Sequence, residues 1–107
     1  MNKTIFQQII NKEIPSKIYY EDDVVISIYD INPRRPGHIL VIPKKLSINL
    51  IDIDDNTFSY LMLKAKELAI KLIKEMNVSG FNFIVNNGKN AKQEVFHTHI
   101  HIIPSLV

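Results

Sequence analysis

The chain has 107 residues, of which 46% are hydrophobic, and it carries 13 basic and 11 acidic side chains. This length fits a single domain over residues 1–107, because domains typically run from ~50 to ~250 residues. The net charge of +2 is too small to indicate a protein that wraps nucleic acid. The absence of cysteine excludes disulfides, thiolate catalysis and cysteine-ligated zinc.

The hydrophobic segments predict neither a secretion signal nor a membrane anchor. The first ten residues are not followed by a small-residue cleavage site. No apolar run approaches the ~18 uninterrupted residues that a transmembrane helix needs. We therefore expect a cytoplasmic protein that binds neither a membrane nor nucleic acid.

A short helix is the first predicted element. Thr4 followed by Gln7 matches a capping box, in which two side chains satisfy the first backbone N–H groups of a helix. The apolar face of this helix ends before Pro15 and consists of Ile5, Phe6, Ile9 and Ile10.

Three strands are predicted next. Residues 17–21 and 24–31 are rich in β-branched and aromatic side chains, and the polar pair at 22–23 is typical of a hairpin turn. After a loop at 32–37, residues 38–42 form an apolar run closed by Pro43, which predicts a buried strand entered at His38.

A long helix begins at Asp54 or Asp55 and is predicted to stop at Gly80. Its apolar stripe recurs at helical spacing through Phe58, Leu61, Met62, Ala65, Leu68, Ala69, Leu72, Ile73 and Met76.

Two further strands, at residues 81–86 and 95–103, flank a turn at 87–92 that contains Gly88. The last strand is predicted to end at Pro104. The element order α-β-β-β-α-β-β predicts the α+β class with a mainly antiparallel sheet.

Three histidines alternate along the last predicted strand. Because side chains alternate between the faces of a strand, His97, His99 and His101 are expected to project to one side. A single histidine such as His38 is usually a surface or satisfied core residue, but three in a row are hard to explain by packing.

Two kinds of chemistry fit this row. Two histidines separated by one strand residue can bind a common zinc ion. At ~3.3 Å per residue, however, the Cα atoms of the first and third histidines lie ~13 Å apart, too far for all three rings to converge readily on one ion. Alternatively, one imidazole acts as a nucleophile while its neighbours fix its tautomer and stabilise a phosphate. The polar segment from Asn86 to Val95 could add amide donors, because Gly88 lets the backbone approach closely.

Residues 97–103 resemble the histidine triad HxHxHxx of the HIT superfamily. The resemblance to its Hint branch spans essentially the whole chain and includes Ile5-Phe6, Glu13-Ile14-Pro15, Glu21-Asp22, Tyr29-Asp30-Ile31 with Pro33, residues 37–44, and Asn86 with Gly88. It implies a HIT-like fold with one short N-terminal helix, one long helix and a five-stranded sheet that extends across a homodimer. It also implies binding of a purine nucleoside monophosphate, AMP or GMP, and cleavage of its conjugates.

The resemblance assigns catalytic roles to four histidines. His99 resembles the nucleophile that takes the nucleotidyl group, and His97 and His101 resemble its orienting and phosphate-contacting partners. His38 resembles a fourth active-site histidine. Because related transferases carry glutamine at the position of His101, the resemblance implies a hydrolase.

The same resemblance implies a nucleotide site. Asp30 matches a carboxylate that binds the ribose hydroxyls. The positions that line the base pocket are Ile28, Tyr29 and Ile31, and the phosphate-side loop consists of Asn86, Gln93, Glu94 and Val95.

Some positions depart from the family pattern. Lys92 stands where the branch usually has glycine, and Glu94 stands where many members have a serine that contacts the phosphate and leaving group. Some bacterial relatives bind structural zinc through an N-terminal cysteine pair. Here the matching positions are Thr4 and Gln7, and Leu46 replaces a further histidine ligand, so we expect no structural zinc and no cofactor.

The sequence thus predicts a homodimeric hydrolase of purine nucleoside phosphoramidates. Within the family the alternative is a dinucleoside polyphosphate hydrolase. Outside it, the alternatives are a nucleotide-binding regulator with little turnover and a zinc protein.

Overall fold

An antiparallel sheet of five strands organises residues 3–105, the part of the chain that the computed structural model describes. The strands are β1 (Ile18–Glu21), β2 (Val25–Tyr29), β3 (Ile39–Pro43), β4 (Gly80–Ile84) and β5 (Ile100–Ser105). Their order across the sheet is β1-β2-β3-β5-β4, and each neighbouring pair is antiparallel. The predicted fold class and element order are confirmed.

The short helix α1 (Ile5–Ile10) begins with the predicted capping box. The Thr4 hydroxyl accepts the backbone N–H of Gln7, and the Gln7 side chain accepts the backbone N–H of Thr4. Phe6 and Ile9 are buried, whereas Ile5 is half-exposed, so the apolar face of α1 is narrower than predicted.

The long helix α2 (Asp55–Met76) begins where the sequence predicts, because the Asp54 side chain accepts the backbone N–H of Thr57. Its predicted stop at Gly80 is wrong. Asn77 ends the helix in the left-handed conformation with φ of 56°, which asparagine tolerates better than most residues. Gly80 instead begins β4.

The two helices cover opposite faces of the sheet. On the α2 face, five side chains of α2 pack against five from the strands: Leu61, Ala65, Leu68, Ala69 and Leu72 with Val25, Ile39, Val41, Ile100 and Ile102. On the α1 face, Phe6 and Ile9 pack against Ile26, Ile28, Leu40 and Ile42. This division follows the alternation of side chains along β2 and β3.

The last strand is displaced toward the C-terminus from the predicted residues 95–103. Residues 95–97 form a bend, and β5 extends through Pro104 to Ser105. Pro104 is tolerated because pairing with β3 ends at the Ile39–Ile102 pair, so its missing N–H faces no strand on that side.

The fourth strand ends at Ile84, two residues before its predicted end. A short 3-10 helix, Lys89–Ala91, occupies the predicted turn between β4 and β5. No helix within residues 3–105 has the length and apolar character needed to cross a membrane.

Gly37 provides a test of the loop that leads to His38. Its φ is +84°, a conformation that side chains disfavour, and a Cβ there would meet the Met76 side chain. We expect Gly37→Ala to lower the free energy of unfolding by about 1–2 kcal/mol in urea denaturation. Gly80→Ala is the matched control, because its Cβ would lie 3.5 Å from Ser105 in ordinary contact. Equal stability of the two variants would contradict this account.

Candidate active site

The four histidines gather on the α1 face of the sheet. His101 lies in β5 beside Leu40 of β3, and His38 immediately precedes β3. The ring of His101 lies 5.0 Å from the ring of His99 and 5.2 Å from the ring of His38, between centroids. Three of the four, His38, His97 and His99, are buried. The structure therefore brings the predicted catalytic histidines together.

The sequence predicted that the three histidines lie along one regular strand, and this prediction is wrong. His97 and His99 precede β5, and they are linked through the backbone: Nδ1 of His99 lies 2.7 Å from the carbonyl oxygen of His97. A carbonyl oxygen can only accept, so Nδ1 of His99 carries a proton and donates it to this bond. In the neutral ring, Nε2 of His99 consequently holds a lone pair.

His38 and His101 form a second hydrogen-bonded unit. The backbone N–H of Arg34 donates to Nδ1 of His38 at 3.1 Å, which places the ring proton of neutral His38 on Nε2. This N–H donates to Nδ1 of His101 at 3.0 Å. Neutral His101 therefore carries its own proton on Nε2, where it can donate to a phosphate oxygen.

His97 is held at both ring nitrogens. Nε2 donates to the carbonyl of Pro43 at 2.8 Å, and Nδ1 lies 3.3 Å from the hydroxyl of Thr4. The ring of Phe6 packs edge-on against the rings of His97 and His99, at 6.0 and 5.0 Å between centroids. His97 thus ties the start of α1 and the end of β3 to the carbonyl that orients His99.

The protein environment favours neutral imidazoles. Burial lowers the pKa of His38, His97 and His99 below the usual 6.5. For His101, burial together with the neighbouring His99 and His38 lowers the pKa to about 4. Hydrogen bonding to the His97 carbonyl and the nearby carboxylates of Asp30 and Glu94 oppose this effect at His99. The lone pair on Nε2 of His99 is therefore present at neutral pH.

Asp30 lies beside the His38–His101 unit, where sequence spacing could not place it. Its carboxylate is 3.4 Å from Nε2 of His38, and it also accepts the backbone N–H of Asn32. Asp30, His38 and His101 offer three ligand atoms within 4.8 Å of one another. A metal would need the lone pair on Nε2 of His38, but the Arg34 bond places a proton there. This set fits a hydrogen-bonded chain better than a metal ion.

The N-terminal segment from Thr4 to Gln7 does not fit a metal either. Thr4 and Gln7 satisfy each other's backbone N–H groups, and neither supplies a thiolate.

The three predicted base-pocket residues do not share one surface. Ile28 is buried on the α1 face, the same face as the histidines. Tyr29 belongs to the α2 face, where its ring contacts Tyr19, because adjacent residues of β2 point to opposite sides. Ile31 lies in the following loop and is 90% exposed. Ile28, Tyr29 and Ile31 therefore differ in burial and in the face they occupy, and their assignment to a base pocket stays a prediction.

The side chain of Gln93 stabilises the loop that precedes the histidines. Its oxygen accepts N–H groups from Gly88 and Asn49, and its nitrogen donates to the carbonyls of Ile48 and Val95. With 3% exposure and four bonds within the chain, this amide orients the loop, and its N–H groups are committed to the protein.

Among the other predicted loop residues, the side chains of Asn86 and Glu94 remain open to a ligand, whereas Val95 is held by the protein. Asn86 is partly buried, and its side chain makes no hydrogen bond with the rest of residues 3–105. Glu94 is exposed and close enough to affect the charge on His99. Val95 packs on the α1-face cluster, and its carbonyl is held by Gln93.

The sequence did not predict several residues that hold the histidines in place. The roles of Phe6 and Pro43 depend on contacts with histidines far along the chain, whereas Arg34 bonds to His38 within the same loop. The capping box located Thr4 correctly, but it gave no signal of the contact with His97, 93 residues away.

A buried cluster of neutral imidazoles at one end of an antiparallel α+β sheet defines a protein equipped for nucleophilic or acid-base chemistry. Comparison of the sequence with known protein families then identifies its family. The family model for the HIT domain matches residues 11–106, and the chain belongs to the HIT family.

Similar proteins support this membership. A 13.1 kDa HIT-like protein of Mesomycoplasma hyorhinis is 47% identical over 94% of this chain and 90% of its own length. The crystal structure of a HIT-like protein from Bartonella henselae, described as involved in cell-cycle regulation, is 42% identical with a TM-score of 0.93, over 97% of this chain and 81% of that chain. A HIT family hydrolase from Clostridium thermocellum is 36% identical with a TM-score of 0.86, over 99% of this chain and 93% of that chain.

The lowered histidine pKa values predict how stability depends on pH. Below the usual value of 6.5 the unfolded chain binds more protons than the folded protein, so the free energy of unfolding falls as pH falls from 7 to 5. Carboxylates whose pKa is lowered in the folded protein, such as Glu21, add a further loss of stability only near and below about pH 4.5. Urea denaturation across pH 5–7 measures this slope, which His101→Gln should reduce. A stability independent of pH in this window would contradict burial of neutral histidines.

Proposed function

We propose that this HIT-family protein is a hydrolase that cleaves purine nucleoside phosphoramidates through a nucleotidyl intermediate on His99. The observation that carries the proposal is the bond from Nδ1 of His99 to the His97 carbonyl, because it leaves the Nε2 lone pair free. The hydrolase from Clostridium thermocellum among the similar structures supports hydrolysis as the reaction class.

The reaction proceeds in two displacements. Nε2 of His99 attacks phosphorus, the phosphorus–nitrogen bond breaks, and the departing amine takes a proton from solvent. Water then attacks phosphorus, which breaks the bond to Nε2 and releases the nucleoside monophosphate and a proton. The N–H at Nε2 of His101 donates to a phosphate oxygen in both steps, and His38 holds His101 in the tautomer that this requires.

The nucleotide is held on the α1 face. Asp30 accepts the ribose hydroxyls with its partly exposed carboxylate, and the neighbouring Ile31, which is exposed, supplies apolar surface for the base. Asn86 and the backbone near Glu94 and Val95 bind the phosphate. Gln93 and His97 act by positioning this loop and His99, since their polar atoms are bonded within the chain.

Replacement of His99 by alanine tests the nucleophile. We expect turnover of a fluorogenic adenosine phosphoramidate to be abolished while AMP binding changes by less than tenfold, an effect of about 1.4 kcal/mol. Single-turnover kinetics and calorimetric titration with AMP measure the two quantities.

Asp30→Ala is the matched comparison. It should weaken AMP binding through the lost ribose contact and slow the bound-state chemistry less than His99→Ala. Substantial single-turnover activity in His99→Ala would show that another group or water attacks phosphorus. AMP binding by the wild-type protein without any turnover of phosphoramidates or diadenosine polyphosphates would favour the regulatory alternative.

The dimer proposal rests on apolar surface at the sheet edge. Strand β4 is an edge strand, and its Phe83 is 38% exposed. On α2, Leu63 and Ile70 are exposed two turns apart on the same side of the helix. A two-fold axis can pair such a patch with its own copy, which suits a chain of this length.

Light scattering at micromolar concentration should therefore give about twice the monomer mass of 12.4 kDa. Phe83→Glu should shift this mass toward the monomer, because it places a charge in the proposed interface. Ile51→Glu, at an 87% exposed position in the loop before α2, is the control and should remain dimeric. A monomeric wild-type protein would refute the proposal.

A further inference from the structure

A cleft of about 530 Å³ opens beside the active site. Its walls come from the segment that precedes the histidines and consist of Lys89, Lys92, Gln93, Glu94 and Phe96. The Phe96 ring is 48% exposed, so the cleft offers aromatic surface as well as charge. Glu94 lies between this cleft and the proposed nucleophile, because its carboxylate is close enough to raise the pKa of His99 by charge interaction.

The charges in this cleft are not neutralised within the protein. The ion pairs found among residues 3–105 include neither Lys89 nor Lys92, and they do not include Glu94. Two lysines against one glutamate leave one positive charge in excess. An anionic ligand group would therefore meet lysines that have no competing partner.

The backbone of the cleft is well defined. The N–H groups of Lys92 and Gln93 bond to the carbonyls of Lys89 and Gly88, and the Gln93 side chain fixes the same turn from behind. Lys92 has φ of 68°, the left-handed conformation for which glycine is the usual residue. Lys92 therefore occupies a strained backbone position, and strained positions cluster at functional sites.

We propose that this cleft receives the leaving group, and that Lys89 and Lys92 select leaving amines that carry a carboxylate or a similar anionic group. The inference rests on the proposed function and narrows its substrate class. The amine would occupy the end of the cleft nearest Glu94, its carbon chain would contact Phe96, and the anionic group would meet the lysines. The reaction is unchanged: the phosphorus–nitrogen bond breaks, the amine takes a proton, and the anionic group leaves intact.

Three adenosine phosphoramidates of matched length test this selection. Their leaving amines are β-alanine, which is anionic, β-alaninamide, which is neutral, and 1,3-diaminopropane, which is cationic. We expect kcat/KM to decrease in that order, with roughly a fivefold advantage of the anionic over the neutral conjugate, as two exposed charge pairs provide. The advantage should shrink as ionic strength rises, because the lysines are exposed.

The double variant Lys89→Gln, Lys92→Gln should bring the ratio of the anionic to the neutral conjugate close to one. Lys66→Gln is the control, because Lys66 is an exposed lysine of α2 outside the ion pairs of the described residues, and the ratio should be retained. Measuring a ratio within each variant cancels any general loss of activity caused by folding.

The two proposals fail in different ways. Equal kcat/KM for the three conjugates in the wild type, or an unchanged ratio in the double variant, would overturn the selection of anionic leaving groups while the proposed hydrolase stands. Absence of turnover for all three conjugates would overturn the proposed function, and this inference with it.

Discussion

The hydrogen bond between Nδ1 of His99 and the carbonyl of His97 is the contact on which the site depends. It determines which nitrogen of His99 carries the proton, and so which nitrogen holds the lone pair that the proposed attack on phosphorus needs. The bond requires the backbone at 97–99 to leave the regular strand geometry, because in a ladder that carbonyl would face a neighbouring strand. The bend at 95–97 and the late start of β5 are the structural conditions for it.

The rest of the fold holds this bend in place from several sides. Ser47 of the loop after β3 bonds to Thr98 through both side chain and backbone, and Gln93 ties the same loop to residues 88 and 95. His97 bonds to Pro43 and Thr4, which joins the end of β3 and the start of α1 to the proposed nucleophile His99. The α2 face contributes stability through its apolar cluster, and the four histidines lie on the α1 face.

Local patterns predicted much of the fold, because they depend on neighbouring residues. The capping box at Thr4 and the N-cap at Asp54 are short-range hydrogen bonds that the sequence displays directly. The sequence did not predict the arrangements that long-range contacts decide. Alternation along β2 places Ile28 and Tyr29 on opposite faces, and the base-pocket role that the resemblance gave to both stays a prediction. Sequence spacing does not indicate that the Gln93 amide bonds to Ile48 and Asn49, since these partners lie 45 and 44 residues away.

The stereochemistry at phosphorus tests the central claim most directly. An adenosine phosphorothioamidate of one configuration, hydrolysed in ¹⁸O-water, reports how many displacements occur, because each in-line attack inverts phosphorus. A nucleotidyl intermediate on His99 predicts net retention in the AMP analogue produced. Net inversion would show that water attacks the substrate directly, and it would contradict the role assigned to the free Nε2 of His99.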